Sequence, residues 1–327
     1  MKIPRRVSIK PAFTLMELMV AMAITAMIVT ALVYITSNAV DTWNRSRSEL
    51  RAARQAKVMV DTMARDFESL VVRRGNSFEW LTATGPVTAP ASPKLTSTNS
   101  SDLIFFCAPT DRYNGAYVNS ASTTNYLGDI SCVGYRLYYK DPMPNPGTTF
   151  QTFVLKRYLS SPSTDSTLTG TDPHKGDNTF ANLLGTTDLA SKFSPYFTLL
   201  DSNAADFVCE NVFQFVVTFN VEVLHNTGGT AYSVVTVSVP VGQSSQQVTN
   251  SFRVMGNTIT TQYGPSGCSK AELAAGRVTS VDISLTIISD AGIEQLRSPR
   301  TLSTTQQADF LAKNSFNYTK RVQVPSM

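Results

Sequence analysis

One stretch limits the possible folds of this chain more than any other. From Phe13 to Val40 the sequence reads FTLMELMVAMAITAMIVTALVYITSNAV, and Glu17 is its only charged residue. The 23 residues from Leu18 to Val40 carry no charge at all. A helix needs roughly 20 residues to cross a hydrocarbon core, so the run reads as a membrane helix. Lys2, Arg5, Arg6 and Lys10 precede it, and the first acid after it is Asp41. That asymmetry predicts a cytoplasmic N-terminus and an exported body. A secretory signal would have a shorter apolar core and a small-residue cut site on the far side, which only SNAV approximates. A plain signal anchor is the other bland reading. Neither explains a lone carboxylate near the start of the run, where an ionised acid is costly.

The helical pattern does not stop at the lipid. Trp43, Leu50, Ala53, Val60, Met63, Phe67 and Leu70 fall at steps of three, four or seven, with charged residues between them. No proline interrupts Phe13 to Val72, and Gly75 follows Arg73 and Arg74 as a stop signal. Sixty helical residues would make a rod about 90 Å long. Of the formal charge of +4, the first ten residues supply four positive charges, so the rest of the chain is neutral. A neutral body offers no clustered basic surface for phosphates, and no nucleic acid is expected as a partner.

The segment resembles the leader and N-terminal helix of the type IV pilin and type II secretion pseudopilin family. The family's mark is a basic leader, a small residue, then Phe-Thr-Leu-x-Glu, here Ala12, Phe13, Thr14, Leu15, Met16 and Glu17. The resemblance implies cleavage by a prepilin peptidase between Ala12 and Phe13, with methylation of the new Phe13 amine. The family prefers glycine before the cut. Ala12 is small enough to be accepted, with slower processing as the expected consequence. Glu17 is then implied to be a docking register that meets the N-terminal amine of a neighbouring subunit. An ammonium and a carboxylate brought together in low dielectric relieve each other's desolvation. Expected partners are the peptidase, other minor and major pilins or pseudopilins, and the inner membrane.

The expected fold is α+β and pilin-like, a long N-terminal helix packed on antiparallel sheet. Residues 1–12 would be the leader, 13–40 the transmembrane half of the helix and 41–74 its amphipathic half. Residues 75–100, rich in Thr, Ser, Ala and Pro, read as a linker, 101–300 as the globular β-rich domain and 301–327 as a tail. Strand-like runs include Ser101 to Pro109, Cys132 to Lys140, Thr152 to Ser160, Asp206 to Asn226, Tyr232 to Val241, Ser251 to Gly256 and Arg277 to Ser289. Their order resembles the J-type minor pseudopilins, with MARDFESLVVRR, DLIFF, VGYRL, LKR and SVDISLTI in sequence. Leu81 to Ser100, Ser161 to Phe193 and Leu224 to Ser269 stand out as insertions. A tryptophan that J-type chains carry before the last strand is missing, since Trp43 and Trp80 lie elsewhere.

Four cysteines stand far apart, and none forms a C-x-x-C pair. Cys107 and Cys132 end and begin strand-like runs, which makes them the candidate disulfide in an exported chain; free buried thiols are the alternative. Asp165, Asp172 and Asp177 match no compact calcium loop. Neither His174 nor His225 stands in a catalytic or metal motif, and HNTGG around His225 reads as a hairpin turn. Tyr135 and Leu137 should share one strand face, Arg136 and Tyr138 the other, with one face in the core and one in solvent. No catalytic residue, metal site or cofactor is expected. The function expected is a structural minor subunit that primes or caps a periplasmic filament; the alternative is a membrane-anchored adhesin or ligand-binding module.

Overall fold

The computed structural model describes residues 14–73, 75–85, 89–108, 115–119, 122–126, 130–142, 150–160, 183–199, 207–228, 231–243, 251–262, 267–298 and 302–325. By internal contacts the chain divides into two units, Met1–Leu50 and Arg51–Met327. Helix α1, Leu15–Glu68, contributes to both.

In the first unit the large apolar side chains from Leu15 to Val40 all point outward, unburied by any other part of the chain. Three threonines in the run remove their own polarity. Thr25, Thr30 and Thr36 each donate 2.8 Å hydrogen bonds to the carbonyls of Ala21, Ala26 and Leu32. A hydroxyl bonded back to the preceding turn needs no water, so these residues are compatible with lipid. The helix is long and apolar enough to cross a membrane.

In the second unit α1 buries a stripe of Ala52, Ala56, Met59, Val60, Met63, Ala64 and Phe67. Steps of three and four keep these on one side. The stripe differs from the expected one at its start, because Trp43 is 70% exposed and Leu50 is also exposed. The small Ala52 and Ala56 take up the packing. The helix ends at Glu68, six residues short of the expected boundary. The chain then runs beside β2 (Asp102–Cys107), through bonds from the Val71 amide to the Phe106 carbonyl and from the Ala108 amide to the Ser69 carbonyl.

Two antiparallel sheets make up most of the body. The larger takes the order β11-β10-β1-β2-β5-β6-β7, from β1 (Glu79–Thr84), β2, β5 (Ser131–Lys140), β6 (Thr152–Ser160), β7 (Phe207–Glu210), β10 (Ser251–Met255) and β11 (Thr258–Thr261). The smaller takes the order β13-β12-β8-β9, from β8 (Val212–Gly228), β9 (Ala231–Val241), β12 (Arg277–Ile288) and β13 (Ser315–Gln323). A separate hairpin pairs β3 (Gly115–Asn119) with β4 (Ser122–Tyr126). The large sheets share one core. Phe67 of α1 stacks on Phe105 at 4.6 Å, and Phe219 of β8 stacks on Phe252 of β10 at 4.1 Å.

One residue transfers the chain between sheets. The run expected as a single strand over Asp206 to Asn226 is broken at Asn211, the one non-glycine with positive φ (64°) among the described residues. Asparagine tolerates that conformation better than most residues. Its side chain is held at both ends, accepting from the Thr152 hydroxyl at 2.7 Å and donating to Asp290 at 3.1 Å.

Helix α2, Leu189–Leu199, covers the outer face of β5. It begins where buried Glu79 accepts the Leu189 amide at 2.6 Å, and Arg253 closes the same carboxylate at 2.6 and 2.8 Å. Gly134 on β5 makes the close approach possible, since a Cβ there would lie 2.2 Å from the Phe193 ring. Three short helices complete the body: α3 (Lys270–Ala274), α4 (Asp290–Arg297) and α5 (Thr304–Asn314).

Two expectations need correction. The 75–100 stretch is more than a linker, because β1 lies inside it and its side chains, Trp80 among them, are almost entirely buried. The 301–327 tail is part of the body: α5 buries Phe310, and β13 pairs with β12 along nine registered positions from Ser280↔Gln323 to Ile288↔Ser315. The stretches that stand out as insertions carry regular structure as well, supplying most of β1 and all of α2's first turn, β9, β10 and β11.

Candidate functional site: the N-terminal segment and the anchorage of its helix

Ala12 and Phe13, the expected cut site and methylated residue, lie outside the described residues. The first described residue, Thr14, holds Glu17 directly. Glu17 Oε2 accepts from the Thr14 amide at 3.0 Å and from its hydroxyl at 3.1 Å, and the Thr14 hydroxyl accepts from the Glu17 amide at 3.3 Å. This is the reciprocal pattern of a capping box, which satisfies amides that a helix start leaves without partners. Here a second reason for an acid at this position becomes visible: Glu17 caps its own helix.

Where α1 enters the body, charge holds it. Asp66, buried on the packed side of the helix, receives Arg157 of β6 in a two-pronged contact, Nε to Oδ2 at 2.8 Å and Nη2 to Oδ1 at 2.9 Å. The Tyr135 hydroxyl of β5 donates to the same carboxylate and accepts from Arg157 Nε at 3.1 Å. β5 and β6 bring these groups together because Tyr135 sits opposite Arg157 in register, on the face turned to the helix. Burial pushes the Tyr135 phenol well above its ordinary pKa, and the negative charge of Asp66 adds to the effect. The phenol is thus fixed as a donor. Nearer the helix's entry, Lys320 of β13 reaches Asp61 at 2.7 Å, Arg51 reaches Asp290 at 2.9 Å and Gln55 reaches Glu210 at 3.2 Å. Each of these partners comes from a different element.

Sequence reasoning missed this cluster. Its visible signals were an acid in the helix beside the apolar stripe at Phe67 and an arginine inside the apolar run TFVLKRYLS. Such residues are rarely buried unless paired.

Cys107 and Cys132 do not form the expected disulfide. Cys107 pairs in register with Ser131, and Cys132 with Phe106, so pleat alternation turns the two sulfurs to opposite faces of the sheet. Burial pushes the Cys132 thiol well up and the Cys209 thiol up to about 12. Thiols so raised are poor nucleophiles.

The face assignment on β5 holds, but both faces are covered. Arg136 forks onto Asp102 at 2.6 and 2.9 Å and lies 3.8 Å from the Phe197 ring centroid, while the Tyr138 hydroxyl donates to the Phe197 carbonyl at 3.0 Å. Arg136 and Tyr138, on the second face, lie under α2 instead of in solvent. His225 sits near the end of the β8–β9 hairpin, with Nδ1 3.3 Å from Glu272. His174, Asp165, Asp172 and Asp177 lie outside the described residues.

Residues 10–33 match the prokaryotic N-terminal methylation motif. No curated protein and no solved structure matches the chain. The motif supports a pilin- or pseudopilin-type subunit, processed by a prepilin peptidase and assembled with other pilins. Together with one apolar N-terminal helix, it fits a single-pass, membrane-anchored protein whose helix is joined to antiparallel sheets in an α+β, pilin-like arrangement.

Proposed function

We propose that this chain is a minor pseudopilin or minor pilin, of the J-type by the order of its segments, in a type II secretion or type IV pilus-like apparatus. It waits in the inner membrane with its N-terminus in the cytoplasm and its body in the periplasm. It is cut between Ala12 and Phe13, methylated at Phe13, and primes or caps a periplasmic filament through contacts of its helix. The observation that carries this reading is the methylation motif at residues 10–33, which coincides with the start of the membrane-length helix α1.

Glu17 is the residue on which assembly turns. In the unassembled chain its carboxylate is held by Thr14, next to the new terminus. On entering a filament it exchanges these neutral donors for the charged amine of an adjacent subunit. The attraction between a full ammonium and a carboxylate, strengthened in low dielectric, then replaces bonds in which only the acceptor is charged. The subunit itself is not an enzyme and takes no cofactor, and its roles are docking and shape.

The test is the intact mass and N-terminal sequence of the protein recovered from its host's membranes, alongside Glu17→Ala. A mature chain beginning at methylated Phe13 is expected, with the variant still cut but missing from complexes with other subunits. A chain that begins at Met1 and is indifferent to loss of Glu17 would reduce the segment to an ordinary anchor.

A further inference from the structure

The smaller sheet ends in two long edge strands that differ in chemistry. β13 carries Lys320 and Arg321, which engage Asp61 and Asp282. β9 reads AYSVVTVSVPV and has no charged side chain. Natural edge strands use charge, proline or bulges to refuse a partner strand. β9 has its one proline at position 240, leaving residues 231–238 with neither charge nor proline.

Along that stretch β9 is paired on one side only, with β8, and among the described residues no strand lies along its other side. An apolar patch flanks the open edge. Val234 is 66% exposed and Tyr232 65%, and Leu224, directly opposite Val234 on β8, is 66% exposed. All three lie on the same face of the sheet, because Val234 pairs with Leu224 and Tyr232 with Asn226. The charges nearest this face are already engaged: Glu222 with Arg277 at 3.2 Å, and Glu272 with the Asn226 amide at 2.9 Å.

We infer that a second copy of this chain adds to β9, strand to strand and antiparallel, about a two-fold axis at Val234. The four-stranded sheet thereby becomes one of eight. In this register Val234 faces Val234 of the second copy, and Tyr232 faces Thr236. Charge selects the occupant. Two uncharged edges meet without like-charge repulsion, whereas the β13 edge of another copy would lay Arg321, the one of its two cations on the patch's face, against apolar side chains. The isologous contact also closes on itself, so it stops at two chains. Main-chain bonds supply affinity and the alternating side chains supply register. One strand pair with three apolar side chains per copy is at the small end of stable interfaces, and a dissociation constant of about a micromolar is expected. The inference does not depend on the filament reading.

The experiment uses the full chain in detergent micelles, with the protein mass followed by light scattering over a hundredfold range of concentration. The wild type is expected to pass from one to two chains, and Val234→Lys to stay at one, a twofold fall in mass at the top of the range. In a Cys268→Ser background, Val234→Cys should give a disulfide-linked dimer on mild oxidation, whereas Thr236→Cys should not, because Thr236 faces Tyr232. The cross-link also decides the matter if the lysine variant misfolds. A wild type that stays monomeric throughout, a dimer untouched by Val234→Lys as membrane-helix association would give, or equal cross-linking at 234 and 236 would overturn the inference.

Discussion

Asp66, Arg157 and Tyr135 hold the helix to the sheet with one carboxylate, one guanidinium and one phenol, all buried. The value of such a group lies in what its absence leaves behind. Asp66→Ala strands a buried guanidinium and should cost about 3–5 kcal/mol. Tyr135→Phe removes a donor but leaves the ion pair, and should cost about 1.5–3 kcal/mol. Exchanging both charges, Asp66→Leu with Arg157→Met, should recover most of the loss, since a well-packed apolar pair often matches a buried ionic one. Denaturant unfolding of the full chain in detergent checks all three. A double variant no more stable than Asp66→Ala would mean that the polar geometry itself positions the helix. Little of this was legible in the sequence, because Asp66 and Arg157 are separated by 91 residues and only the β5–β6 register brings them together. Glu17 was legible for the opposite reason: a single acid in an apolar run is visible without any fold.

At the scale of elements, helix α3 illustrates how a side chain ties two pieces together. Glu272 closes the capping box on Ser269 and also accepts the Asn226 amide from the end of the β8–β9 hairpin. The Asn226 and Ser269 amides, with the Ser269 hydroxyl and His225 assisting, hold its carboxyl down to about 2. A lowered acid contributes its stability above the ordinary carboxylate value of 4.5 and loses it as pH falls through about 2. The side-chain carboxyl resonance of Glu272 should therefore titrate near pH 2 by NMR, and a midpoint near 4.5 would show that the tie is not made in solution. Legibility among the elements followed side-chain pattern. β2, β5, β6, β8 and β12 are rich in β-branched and aromatic residues and were read from the sequence. β1, EWLTAT, was hidden in Thr- and Pro-rich surroundings, and β13, SFNYTKRVQ, is polar because one of its edges is open. The Cys107–Cys132 pairing failed by a single register step, which in a pleated sheet reverses the face.

At the scale of the whole molecule, the body depends on its last residues. β13 covers the long edge of β12, and Val322, Val324 and Phe310 are all buried in the core. Deleting 302–327 would leave β12 with an open edge, take Val322 and Val324 out of the core that holds Ile283 and Leu285, and take Phe310 out of the cluster that holds Ile288 and Ile293. Limited proteolysis should then cut throughout the body of the truncated chain under conditions that leave the full chain resistant. Equal resistance would mean that β13 is an accessory strand. Lys320 and Asp61, joined in the folded body, stand 259 residues apart along the chain. Contacts of such separation form late, after the loop between them has been closed. The body thus gains an edge of its smaller sheet and one anchor of its helix in a single slow event, the meeting of its two most distant partners.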